Sequence, residues 1–298
     1  MRLGIIGLPQ SGKTTLFNAL TRGNLPTTMS GGRFEVHTAV VDVPDARVDK
    51  LSAMFKPKKT IYAKVTYADI AGLESGSAKS GLPGQMLNQL AQMQGFIHVV
   101  RCFENPSVPH PDGGIDPQRD LENLDGEFLL NDLIMVERKL ERLVEERKKG
   151  GGREKAVMER EAALFERMQA ALAEEKRLRT LEFSAEEIKT LSGFGFMTLK
   201  PVLVVLNLSE GQAVPQVSYD WPASLMVALQ GKLEMDIAQL PPEDAEMFMA
   251  EYGIEELSLS KVIRLSYDLL GLQSFFTVGE DEVRAWTLGR CASAVEAA

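Results

Sequence analysis

The residues from Gly7 to Thr14 constrain the fold of this chain more than any other part of the sequence. They read G-L-P-Q-S-G-K-T and fit the pattern G-x-x-x-x-G-K-[ST], in which backbone amide groups turn inward around a phosphate. A short apolar run at residues 3–6 precedes the loop, and residues 15–20 follow it with helical apolar spacing. A strand, a glycine-rich loop and a helix in this order predict an anion site at a helix N-terminus, and therefore a bound nucleoside triphosphate.

The side chains of this loop have distinct expected roles. Lys13 is expected to reach the β- and γ-phosphates and to act in catalysis, and the Thr14 hydroxyl is expected to ligate Mg²⁺. A glycine-rich turn without chemical importance is the alternative, and the strand and helix on either side argue against it. The other loop residues expected to bind the nucleotide are Gly7, Gln10, Ser11, Gly12 and Thr15.

Apolar runs typical of strands alternate with helical patterns through most of the chain. This alternation predicts an α/β fold with a doubly wound, mainly parallel sheet and helices on both faces. Because ligands on such sheets bind at the carboxyl ends of the strands, we expect the P-loop, Asp69, Arg101 and Asn207 to share one crevice. The predicted strands are residues 3–6, 38–43, 63–69, 96–101, 202–206 and 224–229.

The composition indicates an ordinary soluble protein of the cytoplasm. Hydrophobic residues make up 44% and charged residues 25%, and no apolar run approaches the roughly 18 residues that span a bilayer. A strand begins at once, so we expect no signal peptide. Cys102 and Cys291 have no metal-site spacing and fit a reducing compartment. The net charge of −9 argues against a broad nucleic-acid-binding face, and no sequence-specific DNA binding is expected.

Residues 121–191 interrupt the alternation, because they contain no strand pattern and are rich in Glu, Lys, Arg, Leu and Ala. Apolar residues recur there at helical spacing on both sides of the triple glycine at 150–152, which predicts an inserted antiparallel helical hairpin, or coiled coil. The hairpin is either an arm that contacts a partner or a solvated, charge-laced helix pair. The basic tip favours a partner such as ribosomal RNA. The apolar positions of the first helix are Leu133, Val136, Leu140, Leu143 and Val144, and the tip cations are Lys148, Lys149, Arg153 and Lys155.

A second phosphate-side motif follows the strand at residues 63–69. Asp69-Ile70-Ala71-Gly72 fits D-x-x-G, in which the Asp holds Mg²⁺ through water and the Gly72 amide senses the γ-phosphate. Thr38, or an earlier hydroxyl, is expected to complete the Mg²⁺ shell from a mobile loop. Leu73 stands beside the position where related hydrolases carry a water-orienting Gln, so hydrolysis needs another group.

His110 is the candidate for that group. It lies in a Pro- and Gly-rich loop that leaves the strand at residues 96–101, and an imidazole polarises water near neutral pH. A merely solvated loop histidine is the alternative. His37 and His98 are interpreted as structural or incidental.

Asn207-Leu208-Ser209-Glu210 ends the strand at residues 202–206, where GTPases place N-K-x-D. Glu210 is one methylene longer than the Asp that binds the guanine N1–H and 2-amino groups, and Leu208 replaces the Lys. A site built for guanine would misplace these groups, so ATP is predicted over GTP. A plain surface turn after the strand is the alternative interpretation.

These motifs together resemble the YchF / Obg-like ATPase family of the TRAFAC class of P-loop proteins. The resemblance runs nearly end to end, through strings such as G-L-P at 7–9, T-L-F-N-A-L-T at 15–21, D-I-A-G-L at 69–73, H-V-V-R-C-F-E-N at 98–105, N-L-S-E at 207–210 and E-V-R-A-W-T at 282–287. It implies a coiled-coil insertion, ATP favoured through N-x-x-E, a hydrophobic residue in place of Gln and a hydrolytic histidine at His110. It also implies that Phe103 and Leu208 flank the base, that Gly231 and Lys232 form the last base-side loop, and that the protein associates with ribosomes.

The chain departs from the family pattern at several positions. Gln10 and Ser11 replace the usual Asn-Val of the P-loop, which puts a potassium requirement in doubt, and Arg33 replaces the first switch threonine while Thr38 remains. The family continues into a C-terminal TGS domain, and this chain is expected to stop after its first strands. The predicted domains are a nucleotide-binding domain at 1–121 plus 199–271, a coiled-coil insertion at 122–198 and a TGS-like β region at 272–298.

The sequence therefore predicts a Mg²⁺·ATP-dependent switch with slow hydrolysis, which signals through the loops at 33–38 and 69–84 to a ribosome-like partner. A catalytically inert nucleotide-binding module and a GTP-preferring GTPase remain open alternatives. A small-molecule kinase is disfavoured, because D-x-x-G and N-x-x-E stand where a kinase would need a lid with arginines.

Overall fold

The computed structural model describes residues 1–27, 36–70, 82–110, 113–149, 153–252, 254, 256–290 and 292–297. The strands in these ranges are β1 (Arg2–Ile6), β2 (Val36–Asp42), β3 (Lys59–Ile61), β4 (Lys64–Ile70), β5 (Gly95–Arg101), β6 (Val202–Asn207), β7 (Ser224–Leu229), β8 (Leu272–Val278) and β9 (Glu282–Gly289). The described helices are α1 (Lys13–Thr21), α2 (Ala46–Phe55), α3 (Gly84–Ala91), α4 (Pro117–Lys148), α5 (Lys155–Ala173), α6 (Ala185–Leu191), α7 (Gly231–Gln239), α8 (Pro242–Glu251), α9 (Ser258–Leu269) and α10 (Ala294–Ala297).

The main sheet of the described chain has the order β2-β4-β1-β5-β6-β7. β2 pairs antiparallel with β4, and the other neighbouring strands are parallel. The predicted doubly wound, mainly parallel sheet is therefore confirmed. Each strand foreseen from an apolar run lies within two residues of its predicted bounds.

The sheet separates two hydrophobic cores, because side chains of successive strand residues point to opposite faces. Ile97 and Val99 of β5 pack on one face in the core shared with α1 and α9, whereas Phe96 and Val100 pack on the other face with α3 and the start of α4. Helices thus cover both faces of the sheet. The central strands are buried on both sides, and only their ends are left for polar chemistry.

Helices α4 and α5 form the predicted hairpin, here called the arm. The pairs Arg153–Glu146 and Lys139–Glu161 show that α5 runs back antiparallel to α4. The helices meet over a buried cluster that includes Val136, Leu164, Phe165 and Met168. Val144 was predicted in the apolar stripe but is 52% exposed, because it follows the buried Leu143 by about 100° around the helix. The triple glycine at 150–152 lies outside the described residues.

The arm helix α4 begins earlier than the pattern of residues 121–191 predicts. Asp116 is the N-cap residue, and its carboxylate accepts from the Arg119 amide at 3.1 Å. Pro117 occupies the first turn, where its missing N–H costs nothing. The domain boundary predicted between residues 121 and 122 therefore falls inside one continuous helix.

The last strands belong to a three-stranded sheet of order β3-β9-β8. β9 is parallel to β3 and antiparallel to β8. Val283 and Ala285 of β9 join the core that contains Leu3 and Val65, and Arg47 of α2 lies 4.9 Å from the Phe276 ring centre. The ribbon predicted at the end of the chain therefore packs on the main body of the protein.

No helix in the described ranges is long and apolar enough to cross a membrane.

Candidate nucleotide-binding site

The loop between β1 and α1 is held in a conformation that requires glycine at two positions. Gly7 has φ +148° and Gly12 has φ +97°, and Gln10 also has a positive φ of 62°. A Cβ on Gly7 would lie 2.3 Å from the Val99 carbonyl oxygen, and a Cβ on Gly12 would lie 2.2 Å from the Asn207 amide nitrogen. The loop is therefore packed between the ends of β5 and β6, at the carboxyl edge of the sheet where a ligand was expected.

Lys13 is buried beneath this loop. Its Nζ atom donates to the Gly7 carbonyl at 3.0 Å and to the Leu8 carbonyl at 2.8 Å. Burial lowers the pKa of Lys13 to about 8, and the neighbouring Asp69 partly opposes that shift. Carbonyl oxygens carry no formal charge, so an anionic phosphate would compete well for this ammonium. The Ser11 hydroxyl is also buried and has no hydrogen-bond partner among the described residues.

The hydroxyl of Thr14 and the carboxylate of Asp69 meet directly beside Lys13. Thr14 Oγ1 donates to Asp69 Oδ2 at 2.8 Å, and Asp69 Oδ1 is buried without a hydrogen-bond partner in the described chain. Burial raises the pKa of Asp69, while Thr14 and Lys13 act in the opposite direction. A hydroxyl and a carboxylate are the oxygen donors that a hard divalent cation takes, so these two residues fit Mg²⁺. The described residues hold no cluster of three or more His, Cys, Asp or Glu that could bind a metal by protein ligands alone.

Thr38 does not join this group. It lies in β2 opposite Ala68, whereas His37 lies opposite Asp69. Directly opposed residues share a face of the sheet and successive residues alternate, so His37 and not Thr38 shares the face of Asp69. Thr38 lies in a strand, as the apolar run at 38–43 predicts, and not in the mobile loop expected of a metal ligand, because pairing with β4 already begins at Val36. Gly72, Leu73 and Arg33 lie outside the described residues.

His110 is not the solvated loop histidine of the alternative interpretation. Its Nε2 lies 2.7 Å from Asp120 Oδ2, and both side chains are only 4% exposed. Asp120 lies in the first turn of α4 and its Oδ1 accepts from Arg119 Nη2 at 2.8 Å. This contact therefore joins the loop that carries His110 to the first turn of α4, which is the root of the arm. The role of His110 in hydrolysis stays a prediction.

Asn207 connects the phosphate loop to the base side of the crevice. Its Nδ2 donates to the Ser11 carbonyl at 2.9 Å, and its Oδ1 accepts from the Gly231 amide at 3.0 Å. A Cβ on Gly231 would lie 2.7 Å from that same Oδ1. One buried amide thus fixes β6, the P-loop and the start of α7 relative to each other.

The remaining base-side residues converge from neighbouring strand ends. Arg101, Asn207 and Leu229 are register partners across β5, β6 and β7. The predicted base-side residues follow these strand ends. Phe103 is half-buried, with its ring centre 4.8 Å from the Arg101 guanidinium. Leu208 is buried and Glu210 is exposed, and Lys232 is paired with Asp236 at 2.7 Å.

The sequence reasoning missed two residues that shape this region, Asp120 and Gln212. Asp120 contacts His110, and the Gln212 side chain bonds to the carbonyl of Cys102. An acidic residue in a first helical turn is common and predicts no such contact. Gln212 follows N-x-x-E by two positions and belongs to none of the motifs, so no local signal would have found it.

The sheet carries a phosphate loop closed by Lys13, with a hydroxyl–carboxylate pair beside it and an Asn on the base side. This is the fold and site of a P-loop nucleoside triphosphatase.

A family model described as "50S ribosome-binding GTPase" matches residues 2–139. The "Ribosome-binding ATPase YchF" of Escherichia coli O157:H7 is 38% identical over 307 residues, covering 100% of this chain and 83% of that protein. The protein of that name from Bacillus subtilis strain 168 is 35% identical, covering 99% and 83%.

The solved structures lead to the same family. The structure of the Schizosaccharomyces pombe YchF GTPase matches with a TM-score of 0.81 and 30% identity, covering 100% of this chain and 82% of that one. This chain belongs to the YchF family.

Proposed function

We propose that this protein binds Mg²⁺·ATP at the P-loop, hydrolyses it slowly and acts as a nucleotide-dependent switch in contact with the ribosome in the cytoplasm. The observation that carries the proposal is the partly buried hydrogen bond between Thr14 and Asp69 beside the Lys13 ammonium. These groups supply the cation and the oxygen donors that a metal-bound triphosphate needs.

On the phosphate side, the backbone of the loop does most of the binding. The loop residues Gly7, Gln10, Ser11 and Gly12 and Thr15 at the start of α1 would bind the anion, and the Lys13 ammonium, which donates to two backbone carbonyls, would exchange them for phosphate oxygens. Thr14 and Asp69 would hold the metal ion, which when bound would neutralise negative charge on the triphosphate. Gly72 is the proposed γ-phosphate sensor.

On the base side, the proposal is an adenine site. Phe103 and Leu208 would flank the base, Gly231 and Lys232 would close it, and Glu210 would read its edge. The Glu in place of Asp disfavours guanine, and two curated relatives are named ATPases, whereas the solved relative from fission yeast is named a GTPase. ATP is therefore the preferred nucleotide, and GTP is the weaker ligand.

For hydrolysis, the proposal assigns the attacking water to His110. The hydrogen bond between His110 Nε2 and the Asp120 carboxylate would fix the orientation of the imidazole. Because Asp120 belongs to α4, the same contact joins the histidine to the arm. A movement of the arm root would change the position of His110.

The ribosome is the proposed partner, in agreement with the names of the relatives from Escherichia coli and Bacillus subtilis. The arm is the proposed contact surface. Three of its four tip cations are already paired with carboxylates: Arg153 with Glu146 and Glu161, Lys149 with Glu145, and Lys155 with Glu159. Contact with ribosomal RNA through the tip would therefore exchange carboxylates for phosphates, which makes binding sensitive to salt.

The experiment that tests the proposal is steady-state phosphate release by the wild type and by the Lys13→Ala and His110→Ala variants, each with ATP and with GTP. We expect slow release from ATP, loss of nucleotide binding in Lys13→Ala, and binding with at least tenfold slower release in His110→Ala. His110→Gln, which keeps a donor for Asp120, controls for loss of the loop contact.

Two outcomes would overturn the proposal. Equal release at background level by the wild type and His110→Ala would identify an inert nucleotide-binding module. Tighter binding and faster turnover of GTP than of ATP would identify a GTPase.

A further inference from the structure

We propose that Gln212 is a positioning residue for base selection, because its side-chain amide acts as a spacer between the extensions of β5 and β6. The inference rests on the proposed nucleotide site and adds to it a residue outside the N-x-x-E motif.

The Gln212 amide makes hydrogen bonds at both ends. Nε2 donates to the Cys102 carbonyl at 2.6 Å, while Oε1 accepts from the Ser209 amide at 2.9 Å and from the Ser209 hydroxyl at 2.9 Å. The backbone amide of Gln212 also donates to the Ser209 carbonyl at 3.2 Å, which closes the turn. Gln212 is half-buried, and its side chain reaches Cys102, which lies 110 positions earlier in the chain.

This amide stands where the parallel ladder would otherwise continue. Arg101 and Asn207 are register partners, and the Cys102 amide donates to the Asn207 carbonyl at 2.9 Å. In a regular parallel pair the next bond would run from the Ser209 amide to the Cys102 carbonyl. Instead, both groups bond to the Gln212 side chain, so both backbone groups stay satisfied while the two chains are held apart.

The spacer lies one residue before two residues of the proposed base site, the flanking Phe103 and the edge-reading Glu210. Phe103 follows Cys102, and Glu210 follows Ser209. The separation of these two side chains therefore depends on the length of one inserted amide. Glu210 is longer than the Asp of N-K-x-D, so its backbone has to lie farther from the base. The spacer holds the backbone that carries Glu210 at this greater distance.

Removal of the spacer should narrow the site and change its selectivity. In Gln212→Ala the Ser209 amide is expected to bond directly to the Cys102 carbonyl, which moves Glu210 toward the base. In Gln212→Glu the side chain keeps its size and an acceptor for Ser209, but it places a carboxylate oxygen against the Cys102 carbonyl. The two variants therefore change the width of the base site in different ways, Gln212→Ala by removing the spacer and Gln212→Glu by repulsion between the new carboxylate and the Cys102 carbonyl.

The experiment is competition of ATP and of GTP against a fluorescent nucleotide, with the full chain and saturating Mg²⁺. We expect the wild type to prefer ATP, and the ratio of the GTP Kd to the ATP Kd to fall at least fivefold in Gln212→Ala and in Gln212→Glu. Gln216→Ala is the matched control, because Gln216 is an exposed residue of the same type in the same connection. Its ratio should equal that of the wild type.

The outcomes separate the inference from the proposed function. An unchanged ratio in Gln212→Glu overturns the inference, whether or not Gln212→Ala folds. Equal weakening of both nucleotides in the two variants shows a purely structural role and also overturns it. A wild type that binds neither nucleotide overturns both the proposed function and this inference.

Discussion

Lys13 links the charge state of a single residue to nucleotide affinity. Burial disfavours its charged form and lowers its pKa to about 8, although the ammonium donates to two backbone carbonyls and lies near Asp69. A phosphate partner favours the charged form and raises this pKa again. Binding of the nucleotide should therefore take up protons in solutions near or above pH 8.

The first prediction concerns this proton uptake. The affinity for Mg²⁺·ATP should be constant below about pH 7.5 and should fall above about pH 8, by up to roughly tenfold per pH unit. Titration calorimetry at several pH values, in buffers of different ionisation enthalpy, measures both the affinity and the protons. Lys13→Arg remains charged throughout and should bind with no such dependence. A wild-type affinity that stays constant to pH 9.5 would contradict this account.

At the scale of elements, a buried carboxylate attaches the arm to the sheet. Asp132 of α4 is fully buried, and its Oδ1 accepts from the Met197 amide at 3.0 Å. Its Oδ2 accepts from the Thr198 amide at 2.8 Å and from the Thr198 hydroxyl at 2.7 Å. These bonds fix α4 to the segment that leads into β6.

The second prediction is that Asp132→Ala lowers the free energy of unfolding by about 2–5 kcal/mol. The change leaves the buried Met197 and Thr198 amides without a hydrogen-bond acceptor, so the cost of removing them from water is no longer offset. Urea unfolding of wild type and variant measures the difference. Asp236→Ala removes an exposed carboxylate paired with Lys232 and should change stability by under about 1 kcal/mol. Equal effects of the two substitutions would refute the role of Asp132.

The elements that could be predicted are those whose signal is local. Strands such as β5 and β6 are continuous apolar runs, and the P-loop, Asp69 and Asn207 stand in motifs at strand ends. β3 was missed because three residues, of which only Ile61 is apolar, carry no periodicity. The roles of Asp120 and Gln212 depend on partners brought by the fold, so the sequence pattern does not reveal them.

At the scale of the whole molecule, ligand binding should raise the free energy of unfolding. A ligand that binds only the folded chain raises the free energy of unfolding by about 2.7 kcal/mol when its concentration is one hundred times Kd. The phosphate loop contacts β5 and β6 through Val99 and Asn207, so the bound nucleotide is tied to the central strands. The whole nucleotide-binding fold should therefore share the effect.

The third prediction is that Mg²⁺·ATP raises Tm by several degrees and that chelation of the metal removes most of this rise. Without the metal ion, Asp69 is an anion beside a polyanion, and the two repel. Differential scanning fluorimetry with ATP, with and without EDTA, measures the shift. Asp69→Asn should give a shift that EDTA hardly alters. An equally large rise in wild type with EDTA would exclude a metal role for Thr14 and Asp69.

The pairing of β3 with β9 has a consequence for biosynthesis. Lys58 and Asp281, at the start of this pairing, are 223 positions apart, and Val283 fills the core beside Leu3 and Val65. A nascent chain emerges from its N-terminus, so the apolar surface that Val283 covers stays open until β9 has been made. Folding of this core therefore cannot be completed before β9 is made, and until then the growing chain exposes that surface.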